Sequence, residues 1–541
     1  MINAINNILY NTRKYLLFIL FLAVVIRVFI VQRYYFIGSD DASYLGIAIN
    51  LLKTGTFTNL SGNWPMYPPL YSMFSAAIYY IFGFIVDLPS KLNFVFFTSF
   101  LILPVYYFTR ELYGKKEAII ASFLIAFFPT FIFCQQALWS SSEHIEVFFV
   151  WMGIYLFWMG LNKKGQTDQI GIIELGLSSA CFALAYLSKP EGLLFLPVAI
   201  ILLIINSILK GNCRLIFILK YIFLMVVCFV IVVSPYWIIQ YNNTGNFSIS
   251  GKGLSALAYG FIINQGGDIE REIYDGTRIL LENEIDKMGL FNYVLNNKFL
   301  FLKHMVKNAE REFRMLFSLS VFPFYYLPFI GIGLFSKKWD KERLRKEIFL
   351  FSMFIPMIVN IPFWIGERHL IVFIPIIIIW LSRSTLQLWA WLQLSIQNIK
   401  YKKSINIVSC IMILVLFLTP FFRFNLIRTK PYAIKNVAGW MVQNVPEGEK
   451  VYSVKGHYLD LYTLYRYEIR SIDFDLTSDE LYSQAIEDGY QWLLFEDMYT
   501  FNHHPQMKEI FHNSILPQWL KLKYEASVGG HRAKLYRIVK I

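Results

Sequence analysis

The chain has 541 residues, of which 56% are hydrophobic and 16% charged, with aromatics at 18%. That composition excludes an ordinary soluble globular protein and calls for repeated apolar runs of bilayer-spanning length. The net charge of +13 gathers in short loops between those runs, as in the cytoplasmic loops of a multi-span protein, and does not form a nucleic-acid-binding face.

Arg13 and Lys14 precede the first run, about residues 15–32, and orient it from inside to outside. No small-residue cleavage site follows, so it reads as a retained span. The next segment carries Gly38-Ser39-Asp40-Asp41-Ala42-Ser43-Tyr44. From Ala42 to Lys53 the apolar residues recur at helical spacing, which predicts an amphipathic helix lying on the membrane surface. Trp64-Pro65-Met66-Tyr67-Pro68-Pro69-Leu70 forces an extended turn. Of the two apolar runs at about 70–86 and 91–109, only the second is expected to cross, because that leaves Arg110, Lys115 and Lys116 inside. The first is then a surface or re-entrant helix.

Further spans are expected at about 117–136, 145–161, 171–187, 192–209 and 215–235, the last ending at Ser234-Pro235. A long outer loop follows, and then spans at about 316–335, 348–365, 370–386 and 405–422. The total is about eleven, with the N-terminus cytoplasmic. Residues 430–541 change to mixed charge and short alternating runs. Strands are expected at Val451–Val454 and Trp492–Phe495 and a helix at Ser478–Asp488, which makes a small extracytoplasmic α/β domain. The chain thus divides into a transmembrane part, 1–425, and a C-terminal domain, 430–541. The five cysteines lie in or beside apolar runs and give no disulfide framework.

The informative polar residues sit at the outer ends of the spans. Asp40 and Asp41 are costly to hold beside hydrocarbon, which points to a purpose beyond capping the helix that follows. Adjacent carboxylates repel, so one of them stays protonated or faces a cation. Glu143 and His144 begin the run at 145; Glu143 suits a second acceptor-binding carboxylate or a metal ligand. Lys189 and Glu191 flank Pro190 at an outer turn, and Arg368 and His369 stand at a helix junction. Lys189 and Arg368 can neutralise a departing phosphate. Tyr67 either punctuates the chain or lends a hydroxyl to a lipid-lined groove. His457 and the pair His503-His504 lack a third ligand and read as surface features. No Gly-rich phosphate loop or dinucleotide fingerprint is present.

Ser39-Asp40-Asp41-Ala42-Ser43-Tyr44 resembles the acidic first-outer-loop motif of the GT-C glycosyltransferases, most closely the family 39-like enzymes that include protein O-mannosyltransferases and the aminoarabinose transferase of lipid A. Tyr67-Pro68-Pro69-Leu70, Ser142-Glu143, Lys189-Pro190-Glu191-Gly192 and Arg368-His369 are similar to later landmarks, in the same order. The resemblance covers about residues 15–422. It implies an all-α polytopic GT-C fold with surface helices in the first outer loop. It also implies a polyprenyl-phosphate-linked sugar donor, an acceptor hydroxyl on a protein, lipid or glycan, an inverting displacement, and Asp40 as general base. Asp41 replaces the more usual Glu, Tyr67 stands where relatives place a phosphate-contacting Lys, and His369 replaces a common Tyr. A divalent metal is compatible with the acidic groups but not required by them. The alternative is a transporter or flippase of lipid-linked glycans, although internal repeats and midplane polar sites, usual for transporters, are missing from the sequence.

Overall fold

The computed structural model describes residues 12–34, 37–58, 67–132, 142–163, 171–209, 215–245, 249–250, 253–264, 281, 285, 287–319, 321–363, 366–395, 432–454, 456–473, 476–497, 500, 504–512, 516–528 and 530–541. The span expected at 405–422, the residues 133–141 and His503 lie outside them.

The described residues open with α1 (Thr12–Tyr34), α2 (Ser39–Thr54), α3 (Leu70–Phe82), α4 (Leu88–Phe100), α5 (Ile102–Tyr113), α6 (Lys115–Phe127) and α7 (Ser142–Asn162). It continues with α8 (Ile172–Ser188), a 3-10 turn at Pro190–Leu194, α9 (Phe195–Leu209) and α10 (Leu215–Thr244). Then come α11 (Gly253–Asn264), α12 (Leu290–Asn296), α13 (Lys298–Leu316), α14 (Leu327–Phe335), α15 (Lys341–Ser352) and α16 (Ile355–Asn360). A 3-10 turn at Glu367–Phe373 leads into α17 (Ile374–Ser395). Among the described residues, six helical stretches are long and apolar enough to cross a bilayer: Arg13–Gln32, Leu88–Tyr113, Ser142–Asn162, Pro190–Leu209, Leu215–Thr244 and Glu367–Leu394. Their outer faces are bare hydrocarbon, as Phe18 and Phe21 on α1 and Phe223 and Ile231 on α10 illustrate. This is a multi-pass membrane protein.

At 13 residues α3 reaches only about 20 Å, short of the ~30 Å hydrocarbon layer. It stops at Gly83, whose φ of 79° needs glycine. The helix after α1 starts at Ser39, ahead of the expected Ala42, and is covered by protein: Asp41, Ala42, Tyr44, Leu45, Ile47, Ala48 and Ile49 are all buried. It is enclosed between α3 and a helix of the C-terminal domain. The run ending at Ser234-Pro235 continues as helix through Pro235 to Thr244, 30 residues in all. The apolar runs at 316–335 and 348–365 are broken. Helix resumes only at Phe324 in the first, and Met353-Phe354 separates α15 from α16 in the second.

The C-terminal domain comprises α18 (Tyr432–Asn444), β1 (Lys450–Ser453), α19 (Gly456–Tyr462), β2 (Glu468–Ser471), α20 (Ser478–Asp488), β3 (Trp492–Glu496), α21 (Lys508–Phe511), β4 (Leu520–Val528) and β5 (His531–Ile538). Its five-stranded sheet has the order β2-β1-β3-β5-β4. β1 pairs in parallel with β2 and β3, while β5 runs antiparallel to β3 and β4. α20 starts at a capping box of Thr477 and Glu480 and stops at left-handed Gly489. His504 is buried, not a surface residue. α19 packs on α2, and Lys435 of α18 pairs with Asp87 ahead of α4. The domain therefore rests on the segment that carries Asp40.

Candidate active site

Four separate chain segments converge at one end of the helix bundle. α2 is capped by Gly38, so Asp40 and Asp41 are its second and third residues and neither is the cap. Both carboxylates suit the positive end of the helix. Helical geometry points them about 100° apart: Asp40 is partly open, whereas Asp41 is fully buried. α7 presents Glu143 in its first turn, beside the Ser142 hydroxyl that donates to Glu143 Oε2 at 3.3 Å. Ser188 at the end of α8 donates to the Ser142 carbonyl at 2.6 Å, which ties the Lys189 turn to the start of α7. The Trp151 indole donates to the Val372 carbonyl at 2.9 Å and fixes the Glu367–Phe373 turn to α7.

The charged groups then form one connected network. Arg368 Nη1 donates to Asp40 Oδ2 at 2.5 Å, and Arg368 Nε lies 3.3 Å from Glu143 Oε1. The same Glu143 oxygen is 2.7 Å from Lys189 Nζ. The Tyr67 hydroxyl donates to Asp40 Oδ1 at 3.0 Å. Tyr44 packs between the Tyr67 and Tyr71 rings, at centroid distances of 4.6 and 4.9 Å. Burial, reinforced by the Asp40 charge, pushes the Tyr67 hydroxyl well above its ordinary range, so it remains a donor. Burial alone would lower Lys189, but the carboxylates of Glu143 and Glu191 outweigh it and hold the ammonium charged.

Glu191 lies below this network. Its Oε1 is 3.5 Å from His369 Nε2, and His369 Nδ1 lies against the Gly366 backbone, 3.1 Å from its N–H and 3.2 Å from its carbonyl. Pro190 starts the tight turn that separates Lys189 from Glu191. Gly192 lets that turn press against α8, because a Cβ there would stand 2.5 Å from backbone atoms of Ala185 and Tyr186. His144 turns its ring onto Phe94, edge-on at 5.0 Å, and is buried as a core histidine is. Sequence reasoning passed over Glu146. It sits one turn below Glu143, buried, within electrostatic reach of Glu191 and Lys189. A carboxyl inside an apolar run was itself the available signal. Arg27 was also missed; fully buried in α1, it donates to the carbonyls of Ala23, Ile125 and Ala126 and so closes the end of α6. Among the described residues no three His, Cys, Asp or Glu side chains are arranged to hold a metal ion. The cation that meets Asp40 and Glu143 is a guanidinium.

The backbone is similar over 97% of its length to the archaeal oligosaccharyltransferase AglB of Archaeoglobus fulgidus, solved with an inhibitory peptide and a dolichol-phosphate: TM-score 0.60, 13% identity, 74% of that chain covered. It is likewise similar to ArnT of Cupriavidus metallidurans in the apo state, with a TM-score of 0.57 at 12% identity over 97% of this chain and 98% of that one. The fold is the GT-C fold. Residues 66–239 match the family described as dolichyl-phosphate-mannose-protein mannosyltransferase. That match takes in Tyr67, Glu143, Lys189 and Glu191, while Asp40 and Arg368 lie on either side of it. A further GT-C structure, the Archaeoglobus fulgidus oligosaccharyltransferase with Zn and sulfate, gives a TM-score of 0.57 at 15% identity, covering 89% of this chain and 67% of that one. No curated protein matches the chain.

Proposed function

We propose that this chain is a membrane glycosyltransferase that moves a sugar from a polyprenyl-phosphate-linked donor to an acceptor hydroxyl of a protein, lipid or glycan, on the extracytoplasmic face. The observation that carries the reading is the network at one mouth of the helix bundle in which Arg368 meets the Asp40 carboxylate and, with Lys189, the Glu143 carboxylate. Transfer from a sugar phosphate needs both kinds of group, a base for the attacking hydroxyl and positive charge for the leaving phosphate. The GT-C fold and the mannosyltransferase family match over residues 66–239 support the same class of reaction.

In this scheme the acceptor oxygen attacks the anomeric carbon on the side opposite the phosphate, and the configuration inverts. As the new carbon–oxygen bond forms, the acceptor proton passes to Asp40 and the bond from the anomeric carbon to the phosphate oxygen breaks. Arg368 and Lys189 neutralise the charge that grows on that oxygen. Glu143 bridges the two cations through one oxygen and so offsets their mutual repulsion. Tyr67 orients Asp40 through its hydrogen bond to Oδ1.

The test incubates purified full-length protein with a panel of polyprenyl-phosphate sugars and measures release of polyprenyl phosphate. Asp40→Asn keeps the shape and one acceptor oxygen, enough for Arg368, but removes the base. It is expected to bind donor as before and to lose transfer. An Asp40→Asn enzyme that still transfers sugar overturns the assignment.

A further inference from the structure

α13 carries buried polar side chains at four-residue intervals, His304, Asn308 and Glu312, on a helix whose other faces are exposed. Two of them end on the chain just upstream of Arg368. Asn308 Nδ2 donates to the carbonyls of Ile361 at 2.8 Å and Phe363 at 3.3 Å. His304 Nε2 donates to the carbonyl of Pro362 at 2.8 Å. Three successive carbonyls, in the stretch between α16 and the Glu367–Phe373 turn, are thereby satisfied from a single helix. A buried carbonyl needs a donor, and α13 supplies one to each of the three.

The clamp is itself held. Asn264 of α11 donates through Nδ2 to His304 Nδ1 at 2.8 Å and to Asn308 Oδ1 at 3.0 Å. The Phe261 ring stacks on His304 with centroids 4.2 Å apart. An accepting Nδ1 and a donating Nε2 define one neutral tautomer, and burial favours the neutral ring. Just past the end of α13, the Ser318 hydroxyl donates to Glu367 Oε1 at 3.1 Å. The segment leading to Arg368 is thus held by α13 residues at 361–363 and by Ser318 at Glu367, the residue before Arg368.

We propose that His304 and Asn308 are positioning residues for Arg368: by fixing the carbonyls of 361–363 they place the guanidinium between Asp40 and Glu143. The inference rests on the reading of Arg368 as the cation that meets the donor phosphate. Arg368 spans carboxylates from two helices at 2.5 and 3.3 Å, a geometry with little slack. Misplacing a positioned group by about 1 Å costs roughly 100-fold in rate.

The experiment uses the full chain and measures affinity for dolichyl phosphate together with transfer kinetics. Asn308→Asp keeps the shape but turns a carboxylate oxygen toward the Ile361 and Phe363 carbonyls. It is expected to weaken phosphate affinity and to lower transfer roughly 10- to 100-fold. In an Arg368→Ala background, where affinity is already reduced, it is expected to lower affinity no further, because both changes act through one group. If Asn308→Asp costs its full factor in that background too, the residue is merely structural and the positioning role falls. If Arg368→Ala binds and transfers as the unaltered chain does, the phosphate reading of Arg368 fails first, and the positioning role goes with it. His304 gives a second arm should Asn308→Asp not fold. His304→Gln retains a donor for Pro362 and is expected to keep most of the phosphate affinity that His304→Leu loses; equal affinities in the two overturn the proposal.

Discussion

Asp40 and Arg368 are 328 residues apart in sequence and 2.5 Å apart in the structure. The same guanidinium also reaches Glu143, through Nε at 3.3 Å. A planar fork touches two carboxylates at fixed angles, whereas an ammonium on a flexible stem is a point charge. Arg368→Lys therefore keeps the charge and loses the bridge. Transfer is expected to fall roughly 10- to 100-fold, equivalent to about 1.4–2.7 kcal/mol of barrier, in initial-rate measurements with a polyprenyl-phosphate sugar. An Arg368→Lys enzyme of unchanged rate shows that one cationic contact suffices.

Gly192 supports the same site from beneath. Its turn sets Lys189 on one side and Glu191 on the other, and an added Cβ would collide with α8 backbone rather than with a yielding side chain. Gly192→Ala should displace the turn and move Lys189 off Glu143. The expected result is a raised KM for donor and a rate loss of roughly 10-fold or more, with the protein still recovered from membranes. Unchanged kinetics would mean that α8 moves to accommodate the methyl group without disturbing Lys189.

Much of this site is legible in the sequence, because ionisable residues at the ends of apolar runs stand out. Asp40, Glu143, Lys189 and Arg368 are each visible as a charged group at the outer end of an apolar run, although a helix cap, an acidic first turn or a turn ion pair would also account for the first three. What one-dimensional reading lacks is the partnership. That Arg368 answers Asp40 and Glu143 together, or that Tyr67 donates to Asp40, depends on how segments distant in sequence pack. The same holds for α2. Its apolar periodicity was plain, but α19 covers it from a domain some 400 residues downstream, and no local pattern announces that. Hydropathy also measures apolar content without marking breaks, which is why the runs at 316–335 and 348–365 look continuous in sequence and are interrupted in the fold. Pro235 shows the converse: a proline expected to end a helix is carried through one of 30 residues that packs on α8.

Lys189 and Glu143 are almost enclosed, with side-chain exposures of 9% and 1%. Removing one partner leaves the other charge buried, which is more damaging than never having the pair. Lys189→Met is expected to destabilise the chain by about 3 kcal/mol, the lower end of that range, since Arg368 still faces Glu143. Adding Glu143→Gln should restore part of the loss, so the double variant melts above Lys189→Met alone. The pH dependence follows from the sign. Lys189 is raised in the folded state, so its contribution is complete below the ordinary lysine value of about 10.4 and fades only above it. The Tm difference between Lys189→Met and the unaltered chain should be constant from pH 6 to pH 9. A difference that shrinks across that window would show that Lys189 is already losing its proton there.

Asp460 gives the opposite case, a carboxyl that the fold holds in its neutral form. It lies on α19, the helix that rests on α2, and burial raises its pKa from 3.8 to about 7. Between those values the folded chain retains a proton that the unfolded chain has released. Stability from this group is therefore greatest below about pH 4, declines as pH rises, and levels off above about pH 7. The total decline is on the order of 4 kcal/mol. Asp460→Asn has nearly the same shape and never ionises, so it escapes the decline. In thermal melts of the full chain, Asp460→Asn should match the unaltered protein near pH 4 and melt at a higher temperature at pH 8, with the gap opening between those two points. A gap that is constant with pH, or a lower Tm for Asp460→Asn at pH 8, would mean that the Asp460 carboxylate is solvated or paired when charged, and that α19 does not bury it against the rest of the chain.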